Sequence, residues 1–258
     1  MTSSSNLDHR LTMLVASVLV LLALPAVAQP VADGLRLSIV DTLRITDLEL
    51  RGLAWISDDT ILALVADPDS TPGSPPLSTT LVWSDGDGNV LREFDVTGLL
   101  SRGLAYDGEW LWSLADPTSE TGALLVQLEP DTLYVEQSYE LPGHRPTDIA
   151  WDGNSFWIVD HDRGRLDRFD LDSEDVTRSR PSPGFSPSGV AHDGHFLWIS
   201  DFGTGRLDRL SKGGSVWNGT VSADSYFRRG EEIALVWGQG SLWLLPAGTG
   251  YLLRVEWE

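Results

Sequence analysis

Arg51, Arg102, Arg145, Arg228 and Arg229, together with His144, His161 and Tyr226, are the residues of this chain best suited to recognising an anion. A guanidinium is planar and permanently charged, and its fork of donors matches a carboxylate or phosphate two bonds at a time. Asp67, Asp116, Asp160 and Asp201 recur at equivalent places along the chain, and Glu231 and Glu232 stand close to Arg229. Carboxylates interleaved with guanidiniums could answer the two ends of a zwitterion. Arg51, Arg102, His144, Arg145, His161, Tyr226, Arg228, Arg229, Asp116 and Asp160 are therefore the candidate ligand-binding residues, for a small anionic or zwitterionic ligand or for a protein or peptide.

A structural reading competes with this one. A repeated Asp at a strand end commonly caps a turn by accepting backbone N–H bonds. Arg51 and Arg102 could then simply pair with those aspartates across adjacent blades. The run Asp160-His161-Asp162 has the donor types of a divalent-ion site, but neighbouring side chains on a strand point to opposite faces. No metal site is expected, and no motif calls for a cofactor. No serine sits in a Gly-x-Ser-x-Gly setting and no histidine pair has metalloprotease spacing, so no catalytic residue is assigned and enzymatic activity stays open.

The elements that must position these residues are written in a repeat. The stretch WDGNSFWIVDHDRGRLDRFD from 151 is echoed by HDGHFLWISDFGTGRLDRLS from 192. Related units begin at 51, 102 and 233, and the equivalent positions Ala63, Trp112, Trp157, Trp198 and Trp243 are 49, 45, 41 and 45 residues apart. Such a period, with several short strands per unit, marks a β-propeller. Each unit reads as a first strand of small residues near the axis, an Asp-Gly turn, a second strand apolar on both faces, a third strand, and a polar outer strand. In that geometry the aspartates and arginines above gather at one mouth of the axial channel. Trp55, Tyr106, Trp151 and Trp237 end the first strands, where they would plug the channel or floor a pocket. His192 and His195, beside the turns of the opposite face, read as surface or packing residues.

The last unit ends after its third strand, and the run 35–45 has no unit of its own. Pairing the two would close the ring and remove exposed edges. The expectation is an all-β, five-bladed propeller whose N-terminal strand completes the final blade; six blades would need a further strand pair hidden in the first unit. The Pro-rich stretch 67–78 reads as an insertion within the first blade.

Composition sets the outer limits. Residues 14–24 form an apolar run, Pro25 ends it, and Ala26-Val27-Ala28 has the small-x-small pattern of a leader cleavage site. Residues 1–28 are thus expected to be a signal peptide and 29–258 a single propeller domain, exported to the periplasm or secreted, with no stable membrane insertion after cleavage. There is no cysteine, so packing alone must stabilise the fold. The formal net charge of -20 disfavours nucleic acid, and Lys212 is the only lysine. The acidity fits either a surface adapted to salt or a genome that favours arginine codons.

The stretches GLAYDGEWLWSLAD and DIAWDGNSFWIVDHDRGRLDRFD resemble secreted propellers of the glutamine cyclotransferase (glutaminyl cyclase) family and the wider NHL-like and SdiA-regulated-like propellers. The resemblance extends over nearly all of residues 29–258 as a blade cadence and implies five blades. It also implies a Phe-Thr-Gln-Gly-Leu entry to a first strand, and a Tyr-Glu-Ser-Thr-Gly end to a second strand whose Glu handles the substrate amine. Here those stretches read Glu49-Leu50-Arg51-Gly52-Leu53 and Trp112-Ser113-Leu114-Ala115-Asp116. Arg51 takes the Gln position and Ser113 the Glu position, and a serine cannot titrate as a carboxylate does. The reading is an exported binding or interaction module with a ligand site at the channel mouth, the alternative being a cyclotransferase-like or other small-molecule enzyme on the same fold.

Overall fold

A computed structural model describes residues 37–67, 78–116, 122–143, 145–214, 217–222 and 229–257. The expected leader, most of the Pro-rich insertion, and His144, Tyr226 and Arg228 lie outside these described residues.

Twenty strands form five four-stranded antiparallel sheets, and no helix occurs among the described residues. The N-terminal strand β1 (Leu37–Arg44) stands apart from the blade that follows it. Blade 1 is β2 (Glu49–Ser57), β3 (Thr60–Asp67), β4 (Ser78–Asp85) and β5 (Val90–Asp95). Blade 2 is β6 (Arg102–Tyr106), β7 (Leu111–Ala115), β8 (Leu124–Leu128) and β9 (Val135–Glu140). Blade 3 is β10 (Pro146–Trp151), β11 (Ser155–Asp160), β12 (Arg165–Asp170) and β13 (Asp175–Pro181). Blade 4 is β14 (Pro187–His192), β15 (Phe196–Asp201), β16 (Arg206–Ser211) and β17 (Trp217–Ser222). Blade 5 is β18 (Ile233–Gly238), β19 (Ser241–Pro246) and β20 (Tyr251–Trp257), completed on its outer edge by β1. The pairing runs antiparallel from Leu37↔Trp257 to Arg44↔Tyr251, so the first strand closes the last blade as the repeat implied.

Burial follows from each strand's place in the stack. All but the end residues of β3, and all of β11, are buried, because a second strand is covered by neighbouring blades on both faces. The outer strands β5 and β9 have no buried residue. Five apolar clusters, each shared by two adjacent blades, run round the ring, and Trp112, Trp157 and Trp198 are sealed inside them. Trp112 meets Phe156 of blade 3 at 4.7 Å between ring centres, and Trp198 meets Trp257 of blade 5 at 4.6 Å. Offset aromatic pairs of this kind add to plain area burial.

The repeated Asp-Gly word does two jobs. In blade 3 one oxygen of Asp152 accepts the N–H groups of Asn154 and Ser155, while the other accepts the indole N–H of Trp157 at 2.8 Å. Asp107 holds Trp112 and Asp193 holds Trp198 in the same way. The turn is thereby locked to the core tryptophan five residues on, and the glycine after the Asp supplies the positive φ that the turn needs.

The inner strands crowd at the axis. A β-bulge interrupts the pairing of β2, β6, β10 and β14 with their second strands, whereas β18 pairs without a break. Gly103 sits at such a bulge with φ of 61°, a conformation that costs other residues strain. At Gly189 a Cβ would lie 2.3 Å from the Ile233 carbonyl oxygen, so close approach of blades 4 and 5 also requires glycine.

Candidate functional site

Going round the ring, equivalent positions of the inner strand carry Arg51, Arg102, Thr147 and Ser188 in blades 1 to 4, at the bulge in blades 1, 3 and 4 and beside the bulged Gly103 in blade 2. At one end of the channel they line a cavity of about 470 Å³ together with Arg145, Glu49 and Glu232. Three of the expected arginines therefore meet in one place. Glu49 and Glu232 join them; Glu49, two residues before Arg51 on the same strand, is a site residue that the sequence reading did not single out.

Arg51 and Arg102 are largely buried, their side chains 19% and 20% exposed. Among the described residues Arg51 has one ion contact, 3.3 Å to Glu49, and Arg102 has one, 3.6 Å to Asp116. The Nε atom of each is buried without a partner among the described residues. With five donors per guanidinium, both have capacity to spare. Arg145, more exposed, reaches across the mouth to Glu232 of the blade 5 entrance at 2.6 Å and lies 3.5 Å from Asp162. The hydroxyls of the lining are occupied: Ser188 contacts Ser200 and the Ile233 carbonyl, and Thr147 donates to Val159 and Pro187 carbonyls. These tie the inner strands to their neighbours and leave the charged groups to meet a ligand.

The other expected residues that the structure describes fall outside this cavity. Asp160 is 1% exposed and accepts the Arg163 N–H, and Asp201 accepts from Ser186 and Thr204, so both cap turns. His161 packs edge-on against Phe202 at 5.3 Å. Arg229 is exposed in a turn, and Asp116 borders the cavity through Arg102. The pairing expected across adjacent blades does not form: Arg102 meets the second-strand Asp116 of its own blade, and Arg51 meets Glu49 along its own strand. Ser113 is fully buried and donates to the Gly103 carbonyl at 2.7 Å, a structural contact between first and second strands. Among the described residues, no three His, Asp or Glu side chains converge as a metal site would require.

Below the mouth the channel is blocked. The positions one step in from the arginine level are Gly52, Gly103, Asp148, Gly189 and Ala234, and only Asp148 has a polar side chain to place there. Its Oδ2 accepts the N–H groups of Val190 in blade 4 and Leu235 in blade 5, each at 3.0 Å, and Oδ1 accepts that of Ile149. Burial pushes the Asp148 carboxyl up to about 7, against the pull of these three backbone donors.

Beyond Asp148 lies a second, smaller cavity of about 110 Å³ at the opposite end. Trp55, Tyr106, Trp151, His192 and Trp237 line it, one from each blade at the same position of the inner strand. The aromatic residues thus floor a pocket. His192, read from the sequence as a surface or packing residue, is the ring's remaining member; its alignment with the tryptophans in the repeat was the signal available.

No protein-family model matches the chain, and no curated protein does. Solved structures do resemble it. The glutaminyl cyclase of Myxococcus xanthus superposes with a TM-score of 0.64 at 13% sequence identity, covering 87% of this chain and 97% of that one. A luciferin-regenerating enzyme superposes with a TM-score of 0.56 at 16% identity, covering 86% and 95%. At these identities the likeness is one of fold alone, on a chain whose five sheets make a five-bladed propeller.

Proposed function

We propose that this propeller is an exported binding module whose channel mouth takes a small anionic or zwitterionic ligand. The observation that carries the reading is the meeting of Arg51, Arg102 and Arg145, from three blades, in one cavity of about 470 Å³. That size lies within the roughly 300 to 1,000 Å³ of small-molecule pockets. The chain carries a formal charge of -20, yet three guanidiniums line this cavity against two carboxylates. A ligand carboxylate or phosphate would take the free donors of Arg51 and Arg102, and Glu49 or Glu232 would receive an ammonium group of the same ligand. An acidic peptide terminus offers the same chemistry as a free metabolite.

The test is a thermal-shift series of the protein with small carboxylates, amino acids and phosphates, because a ligand of the folded state raises the melting temperature. The shift should vanish in the Arg51→Ala/Arg102→Ala/Arg145→Ala variant, whose own melting should stay near that of the parent. A shift that survives in the triple variant, or none with any anion, removes this site. Export rests on the leader at 1–28, and an intact mass that begins elsewhere than Gln29 would correct it.

A second reading is a glutaminyl-cyclase-like enzyme, favoured by the fold likeness and by Glu49 and Glu232 in the mouth. Against it, the position expected to hold a titrating Glu holds Ser113, which is buried in a backbone contact. Incubation with peptides bearing N-terminal glutamine distinguishes the two: ammonia release that depends on Glu49 or Glu232 supports the enzyme, and binding without turnover supports the module.

A further inference from the structure

The cavity at the opposite end has a different chemistry. Three indoles, a phenol and an imidazole surround it, all half-exposed, over a floor of small aliphatic side chains from the inner strands. The phenolic O–H of Tyr106 is committed to the Gly108 carbonyl at 2.9 Å, so Tyr106 offers its ring and not its donor. The turns between first and second strands at this end contain Asp58, Asp59, Asp107, Glu109, Asp152 and Asp193, and neither Arg nor Lys; one cation, Lys212 of the turn after β16, acts on His192 from outside them. Burial holds the His192 imidazole below its usual range, which keeps it uncharged at neutral pH; Asp152 and Asp193 oppose that shift while Lys212 and His195 add to it.

We propose that this vestibule binds a small methylated ammonium group, held by cation–π contact with Trp55, Tyr106, Trp151 and Trp237 inside an acidic rim. The negative face of an aromatic ring attracts a cation, most strongly for Trp. Attraction grows where the ion is partly shielded from water, and a trimethylammonium group costs less to desolvate than a primary ammonium. The near five-fold repetition of rings suits a rounded cation that needs no directed hydrogen bond. A volume of about 110 Å³ fits a headgroup rather than a whole metabolite, and the rest of the ligand would extend into solvent past the acidic turns.

The experiment is isothermal titration of the full chain with choline chloride, with sodium chloride as the ionic control and 3,3-dimethylbutanol as the uncharged isostere. Choline should bind saturably and about tenfold or more tighter than the isostere. Trp151→Leu and Trp237→Leu, which keep apolar bulk while removing the ring face, should each weaken choline binding severalfold. His192→Arg removes no tryptophan and places a positive charge in the ring, so it should abolish binding in a protein that still melts cooperatively. Arg51→Ala should leave choline binding intact, which separates this site from the mouth. Equal affinity for choline and the isostere would reduce the vestibule to an apolar pocket. No heat from choline at millimolar concentration would make it a channel plug. Either result overturns the proposal.

Discussion

The two ends of the channel are built from the same inner strands yet follow opposite rules. At the vestibule end the repeat is obeyed, with an aromatic ring from every blade and an Asp clasping the core tryptophan in blades 2, 3 and 4. At the mouth the equivalent position is Arg51, Arg102, Thr147, Ser188 and Ile233. A nearly symmetric ring can meet only a ligand whose own shape is nearly symmetric. A mouth with charges on two sides and hydroxyls elsewhere can orient a ligand with distinct ends. Asp148 lies between them, bonded to three blades, so the ends are separate sites rather than one tunnel.

The largest effect should come from breaking that partition. In Asp148→Ala the N–H groups of Val190 and Leu235 lose a buried acceptor, at a cost of about 1 to 3 kcal/mol for each group left unsatisfied. Chemical denaturation should show that loss, and ligands of each end should then influence one another. Titration gives a second handle. The folded carboxyl sits near 7 and the unfolded one near 3.8, so the folded state holds the extra proton between those values. Its stabilising contribution is full below the lower value and is lost as pH rises through the upper one, a change on the order of 4 kcal/mol. Asp148→Asn should remove this component, so the parent should lose stability relative to the variant as pH rises from 3.8 to about 7.

The ring was legible in the sequence because its cause is local and repeated. A period near 45, Asp-Gly turns and doubly apolar second strands each leave a mark within one unit, and the unpaired run before Glu49 had only the last blade to join. The mouth was legible in part. Arg51, Arg102 and Arg145 could be placed on one face by strand order alone. Asp148 was missed because its role depends on contacts with strands 42 and 87 residues away, and Glu49 because its role depends on a cavity that residues of other blades complete. Asp160 was expected at the same mouth as the arginines because it ends a second strand, yet it lies outside the cavity and accepts an N–H of its own turn.

An intermediate effect is expected from the clasp. Asp152→Ala leaves the buried indole N–H of Trp157 without its acceptor and frees two turn amides, and should cost about 2 to 3 kcal/mol. Asp107→Ala removes the same set of bonds in a wetter turn, where solvent can replace them, and should cost about 1 to 2 kcal/mol. Blade 5 is the natural control, for Trp243 already donates to the Gly238 carbonyl and needs no carboxylate. If both substitutions prove neutral, the Asp-Gly word is a turn signal only and the repeated end loses its claim to a stabilising role.

The smallest effect on stability should appear at the mouth, and there it is informative. Asp116 is 47% exposed and 3.6 Å from Arg102, so Asp116→Ala should change stability by less than about 0.5 kcal/mol. Removing that carboxylate frees the Arg102 guanidinium of its one ion contact and of a competitor for incoming anions. Affinity for a small dicarboxylate such as succinate should therefore rise by about two- to threefold, and the gain should shrink as salt screens the exchange. Arg102→Ala should be nearly as mild for folding yet lose most of the binding. Were Asp116→Ala to weaken the anion instead, Asp116 would be aligning Arg102 rather than competing for it, and the mouth would be a preformed cradle whose acidic rim is part of its recognition surface.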